Sequence, residues 1–191
     1  MLSDTLLAYY ASLSYGGHYI RSVMYNQLQI GRTTLGMLHH GLRRAEVTSL
    51  RTSSIGSERG YMTLTIHGKG GKVRVHPMQQ KVIDALVAYL AADRRSLKID
   101  AALFCSTRSG SQLSTQTVSQ IVVGRCKAAG INKHITPHSL RHTAITCALD
   151  ANASIRRVAQ FAGHSDPKTT STYDLDRSNL DDNASHKILY R

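Results

Sequence analysis

The chain has 191 residues, with 24 Lys and Arg against 12 Asp and Glu, a formal net charge of +12 and a pI near 10. That length supports one domain with an ample core, and the charge is the footprint of a nucleic-acid binder. Aromatic residues make up only 6% and Trp is absent, which disfavours base stacking along a single strand and favours duplex phosphate contacts. Cys105, Cys126 and Cys147 are far apart and lack metal-ligand spacing, so they read as reduced, buried thiols of a cytosolic protein. The N-terminus carries no signal-peptide pattern. The longest apolar run, Val82 to Ala92, is interrupted by Asp84 and is too short to span a bilayer. The expected location is the cytoplasm, with DNA and without a membrane.

Residues 1–30 say least: Leu2 to Leu13 can form a small helix, and Ser14-Tyr-Gly-Gly reads as a turn. Gly31 to His40 reads as a helix turning at Gly41. In the helix that follows, Leu42, Val47 and Leu50 can face the core, with Arg43 near its start. Arg44 reads as a solvent-facing or phosphate-contacting charge. His39 and His40, being adjacent, point in different directions and make no metal site. Tyr61 to His67 alternates at period two, with Leu64 and Ile66 on one face and Val73 and Val75 answering in a second short strand. Between them Gly68-Lys69-Gly70-Gly71 is a strong turn signal. Lys72 and Arg74 would line the second strand and could touch the DNA backbone.

Gln79 to Ala92 has an amphipathic helical pattern, with Val82, Leu86, Tyr89 and Leu90 on its apolar face. Leu103-Phe104-Cys105 is a short buried run. Leu113-Ser114 opens a helix whose Val118, Ile121 and Val122 pack inward and which stops at Gly130. Arg108, Arg125 and Lys127 are candidate phosphate contacts. Helices, hairpin, then helices again give an α+β, mainly helical domain with a small antiparallel sheet.

The stretch from Thr136 to Tyr173 carries the chemistry. Thr136-Pro137 is a helix cap followed by proline at the first helical position, where a missing N–H does no harm. The helix so started puts His138 and Arg141 three residues apart on one face, near an N-terminus that already favours anions. His142 beside them is a further DNA-contact candidate. Ser154 can cap a second helix, Ile155 to Phe161, ending at Ala162-Gly163 with His164 directly after. Asp166-Pro167 then repeats the cap-plus-proline device and starts a segment that carries Tyr173. If these helix ends fold back together, two imidazoles, a guanidinium and a phenol surround one anion. That set suggests phosphoryl transfer with tyrosine as nucleophile.

The runs His138-Ser-Leu-Arg141-His142 and Gly163-His164-Ser165-Asp166, with Tyr173 nine residues after His164, resemble the signature of the tyrosine recombinases, the phage-integrase family. The resemblance covers roughly residues 31–178. It extends to a Gly-Leu-Arg-x-x-Glu run that implies Arg43 as the first catalytic arginine, with Glu46 placed to orient it. It also implies Lys69, at the tip of the glycine-flanked hairpin, as the mobile catalytic lysine. In this reading Arg43 and Arg141 neutralise the phosphodiester, His164 hydrogen-bonds a non-bridging oxygen, and His138 accepts the Tyr173 proton.

The resemblance further implies a covalent 3′-phosphotyrosine, a released 5′-hydroxyl, strand exchange, and no metal, ATP or other cofactor. It implies double-stranded DNA as substrate and a homo-oligomer, a tetrameric synapse, on that DNA. Residues 1–178 would form the catalytic domain, with no room for the helical DNA-binding domain that usually precedes it. Residues 179–191 would be a tail that docks on a neighbouring protomer or frays. Two other readings stand beside strand exchange: a type IB topoisomerase that reseals the original strand, and a basic DNA-binding accessory protein that has lost catalysis.

Overall fold

A computed structural model describes residues 19–92, 100–107, 109–164, 166 and 169–171, with the side chains of 19–27 and of Lys69 outside that description. The stretch from Tyr19 to His39 contains no proline and runs as one helix, α1 (Tyr19–His39). It begins well before Gly31, where the sequence suggested a start. A helical glycine costs about 1 kcal/mol, and here packing overrides it: the Arg125 side chain lies directly on Gly31. Buried Thr33 donates from Oγ1 to the Gln29 carbonyl and to the Ala85 carbonyl, each at 2.9 Å. The second of these bonds ties α1 to a helix far along the chain. Gly41, at φ 77°, turns the chain out of α1 and into α2 (Arg44–Ser49).

After a 3-10 turn at Thr52–Ser54, three strands follow: β1 (Ile55–Glu58), β2 (Tyr61–His67) and β3 (Val73–Pro77). They form one antiparallel sheet in the order β1-β2-β3. Strand β1 has no counterpart in the sequence reading, because Ile55 is its only apolar residue. The register pairs Leu64 with His76 and Ile66 with Arg74. Paired residues share a face of the sheet, so Arg74 and His76 turn toward the core with Leu64 and Ile66. Val73 and Val75 are 56% and 48% exposed and look outward. The expectation that these valines answer Leu64 and Ile66 was off by one residue, and a one-residue offset exchanges the two faces.

Helix α3 (Gln80–Ala92) buries Val82, Leu86, Tyr89 and Leu90, the face its periodicity predicted. Leu103, Phe104 and Cys105 are buried, and the Cys105 N–H donates to the Tyr89 hydroxyl at 3.2 Å. Helix α4 (Thr115–Ala128) starts at Ser114, whose Oγ accepts from the Thr117 N–H, and buries Val118, Val122 and Cys126. Two further helices close the described part, α5 (Pro137–Asp150) and α6 (Ile155–Ala162).

The chain divides into two compact units, residues 1–144 and 145–191. The first has a core that includes Met37, Leu38, Leu42, Val47, Leu64, Ile66, Leu86 and Phe104. The second has its own small cluster of Ile145, Leu149, Val158 and Ala162. Truncating a fully buried leucine such as Leu86 to alanine costs about 2–5 kcal/mol. The larger core is therefore what fixes the elements described below. Cys105 and Cys126 are buried as expected, but Cys147 is exposed, because it falls on the solvent side of α5. Among the described residues no helix is long and apolar enough to cross a membrane.

Candidate active site

Arg43 occupies the N-cap position of α2, with extended backbone angles (φ −76°, ψ 151°). Leu42 beside it is fully buried and anchors the turn. Glu46, three residues on, accepts the Arg43 backbone N–H on Oε2 at 2.7 Å and the Arg43 Nη1 on Oε1 at 2.9 Å. The pair is asymmetric in burial: the Arg43 side chain is 42% exposed and that of Glu46 only 7%. The carboxylate is thus sunk beneath the guanidinium and fixes where it points.

Arg74, expected beside Lys72 as a DNA contact on the strand, lies elsewhere. Its side chain is 11% exposed and donates Nη1 and Nη2 to the two oxygens of Glu46, at 2.9 and 2.7 Å. The reason is the β2–β3 register, which places it opposite Ile66 on the inward face. Lys72, by contrast, is exposed. Burial works to raise the Glu46 carboxyl, but hydrogen bonds from Arg74, from the Arg43 backbone and from the Arg43 guanidinium outweigh it. They hold its pKa below the ordinary carboxylate range.

Lys69 stands in a 3-10 turn, Lys69–Gly71, in which Gly70 and Gly71 have φ of 74° and 72°. Gly68 closes the base of that hairpin by donating its N–H to the Lys72 carbonyl at 2.7 Å.

Helix α5 opens as the Thr136-Pro137 pattern predicts. Thr136 Oγ1 accepts the Ser139 N–H at 3.1 Å, and Ser139 Oγ accepts the Thr136 N–H at 3.3 Å, a reciprocal cap. His138 is exposed on the first turn and His142 is exposed further along. Arg141 is 4% exposed and donates Nη1 to the Gly41 carbonyl. The start of α5 is thereby tethered to the turn that leads into Arg43.

In the smaller unit, α6 is capped by Ser154, whose Oγ accepts the Arg157 N–H, and ends in Gly163 at φ 62°, as read from the sequence. The His164 N–H donates back to the Ala159 carbonyl at 2.9 Å. Its Nδ1 lies 2.8 Å from the hydroxyl of fully buried Thr170. The Thr170 contact orients the His164 ring, with Nδ1 on the Thr170 side. Tyr173, Arg108 and the tail 179–191 lie outside the described residues. Arg44 is exposed, whereas Arg125 is half-buried and lines a pocket of about 440 Å³ with Ile30, Leu113 and Ile121. Among the described residues no group of three or more His, Cys, Asp or Glu is arranged to hold a metal ion.

Two histidines are buried: His40, read from the sequence only as no metal ligand, and His76, which the sequence did not single out. His40 accepts the Gln79 N–H on Nε2 at 3.1 Å, and His76 lies on the inward face of β3. Burial first, then the charges of Arg74 and His40, push the His76 pKa down to about 4. Burial also lowers His40, with His39 adding to the effect. Only the strand register, which places Leu64 across from His76, could have flagged the second.

A consequence for stability follows. Between pH 6.5 and about 4 the unfolded chain binds a proton at His76 that the folded one refuses. Stability is therefore whole above pH 6.5 and falls on acidification, by on the order of 3 kcal/mol for this group. Glu46, with its lowered pKa, adds a further loss at lower pH. Urea melts between pH 7.5 and 4.5 should show this decline, and His76→Gln should flatten it. An unchanged slope in that variant would assign the acid sensitivity elsewhere.

Comparison with known proteins decides the family. The profile of the phage integrase family matches residues 19–179. The chain belongs to that family. A tyrosine recombinase XerC of Corynebacterium efficiens is 35% identical over 133 residues, 70% of this chain and 42% of its own length. A tyrosine recombinase XerD of Staphylococcus epidermidis is 35% identical over 146 residues, 74% of this chain and 48% of its own. The chain thus spans about half the length of the curated relatives it matches. Among solved structures, the XerA recombinase is 26% identical with a TM-score of 0.68, covering 93% of this chain and 66% of that one. The XerH recombinase bound to its difH substrate after cleavage, at 21% identity, shares the fold with a TM-score of 0.71 over 96% of this chain and 50% of that one.

Proposed function

We propose that this chain breaks and rejoins DNA strands as the catalytic domain of a site-specific recombinase or integrase, through a covalent 3′-phosphotyrosyl intermediate. The observation that carries the reading is the pair of arginine anchors. Arg141, almost wholly buried, is bound to the Gly41 carbonyl, and Arg43, on the other side of that turn, is held by Glu46. Guanidinium groups fixed before the substrate arrives stabilise charge that grows on a phosphoryl group without having to reorganise. Membership of the phage integrase family supports the same reading.

In the proposed reaction the Tyr173 oxygen attacks phosphorus and the bond from phosphorus to the 5′-oxygen breaks. The phenol proton passes to His138, because an unassisted phenol has a pKa of about 10. Lys69 gives a proton to the departing 5′-oxygen. Arg43, Arg141 and His164 take the charge on the non-bridging oxygens. The phosphotyrosine conserves the bond energy, so the 5′-hydroxyl of a second strand can reverse the step and exchange strands. No metal or nucleotide is needed in this scheme.

The partner is duplex DNA, met in the cytoplasm, with Arg44, Lys72 and His142 as surface contacts. Residues 1–178 act as the catalytic domain, and copies of the chain assemble as a tetrameric synapse with residues 179–191 docking between protomers. The test is a nicked suicide duplex, built on a sequence the protein selects from a random pool, incubated in excess EDTA without ATP. A denaturant-resistant protein–DNA adduct is expected. Strict dependence on a divalent ion, or no adduct on any selected duplex, would overturn the reading.

A further inference from the structure

Glu46 is over-supplied with partners for a residue that only orients Arg43. Its Oε1 accepts from Arg43 Nη1 and Arg74 Nη1, and its Oε2 from the Arg43 N–H and Arg74 Nη2, all between 2.7 and 2.9 Å. Each oxygen therefore carries two donors. Glu46 and Arg74 are both largely buried, while the Arg43 side chain is 42% exposed.

The charges matter as much as the geometry. A lone Arg43–Glu46 pair would be neutral, and a neutral pair stabilises an anionic transition state poorly. With Arg74 the cluster holds two cations and one anion, for a net charge of +1 on the side where Arg43 is exposed. We propose that Arg74 is a positioning residue for strand cleavage: it neutralises and immobilises Glu46 from beneath, so that Arg43 presents a fixed and undiminished positive charge to the scissile phosphate.

The inference rests on the cleavage reading proposed above. The packing at the hairpin agrees with it. A Cβ at Gly68 would lie 3.5 Å from Arg74 Nη1 and 3.8 Å from Glu46 Oε1, so the base of the hairpin sits on the same ion pair.

The experiment compares single-turnover cleavage of the nicked duplex at saturating protein with the Kd for the intact duplex. Arg74→Gln should slow cleavage by about 100-fold while Kd and its salt slope stay within about twofold of wild type, because the side chain reaches no phosphate. Arg74→Lys keeps the charge and loses the fork, and should stay within about tenfold of the wild-type rate. The double variant Glu46→Gln/Arg74→Gln removes the anion that Arg74 offset and should cleave faster than Arg74→Gln alone. A residue that merely supports the fold would give no such recovery. Replacing the bridging 5′-oxygen by sulfur should not rescue Arg74→Gln, since the proposed action runs through Arg43 and not through Lys69.

If Arg74→Gln does not fold, the Arg74→Lys rate still decides. A double variant no faster than Arg74→Gln, an Arg74→Lys loss as deep as 100-fold, or a fall in salt slope of about 1, as for the loss of one phosphate contact, would overturn the proposal. If wild-type protein forms no adduct at all, the cleavage reading fails and this inference with it. If it forms one and Arg74→Gln cleaves equally fast, only the role of Arg74 fails.

Discussion

Tyr173→Phe should abolish the covalent adduct and leave duplex binding nearly intact. The substitution removes one oxygen, and in the proposed chemistry that oxygen is the atom that bonds to phosphorus. The loss is therefore expected to reach the detection limit and not to be a modest slowing. Binding depends on other groups, chiefly the excess of 24 Lys and Arg over 12 Asp and Glu, and neither count changes. Two measurements on one suicide duplex separate the effects: a denaturing gel for the adduct and a titration for Kd. The other tyrosines of the chain give a built-in control. Tyr61 is 64% exposed at the end of a strand, and Tyr89 is fully buried and holds the Cys105 N–H. An adduct that survived in Tyr173→Phe would mean that the nucleophile is a different residue.

How much of this site could be read from the sequence depends on how local its determinants are. The caps at Thr136 and Ser154, the left-handed Gly163 and the start of α5 all followed from a few neighbouring residues, and they stand where the pattern placed them. Glu46 beneath Arg43 is likewise a three-residue relationship. The failures are the long-range ones. Arg74 and His76 face inward where the local pattern pointed them outward or said nothing, because strand side chains alternate and only pairing with Leu64 and Ile66 says which set turns inward. Two valines at 73 and 75 offered the more hydrophobic face, yet the sheet turned the arginine and histidine in. Glu46 supplies the physical reason, since a carboxylate largely withdrawn from water calls for a fully bonded guanidinium beside it. Arg141 bound to the Gly41 carbonyl spans a hundred residues and left no local trace.

The same contrast shapes the residues proposed to be catalytic. Arg43 and Arg141 are held by groups that are present before DNA binds, whereas Lys69 stands on a turn in which two successive glycines adopt positive φ. Fixed arginines suit a charge whose position is known in advance. In the proposed scheme a general acid has to meet a leaving oxygen that moves, and a turn built on glycines suits that task.

Lys69→Ala should slow cleavage deeply, by about 100-fold or more, the usual scale for losing a general acid or base. An alkoxide is a poor leaving group at neutral pH, so departure of the 5′-oxygen needs a proton in the transition state. Lysine, with a reference pKa of about 10.4, carries that proton under the reaction conditions. The decisive arm is a substrate in which the bridging 5′-oxygen is replaced by sulfur. A thiolate leaves without a proton, so this substrate should largely restore the Lys69→Ala rate while changing the wild-type rate little. Lys72→Ala removes a nearby exposed lysine of the same charge and should weaken binding without any rescue by sulfur. The two lysines differ in one respect that the fold supplies. Lys69 sits inside the turn closed by the Gly68–Lys72 hydrogen bond, and Lys72 sits at its root, where β3 begins. Sulfur that failed to rescue Lys69→Ala, or that rescued Lys72→Ala in its place, would move the proton donor to another residue and leave the hairpin as a DNA contact alone.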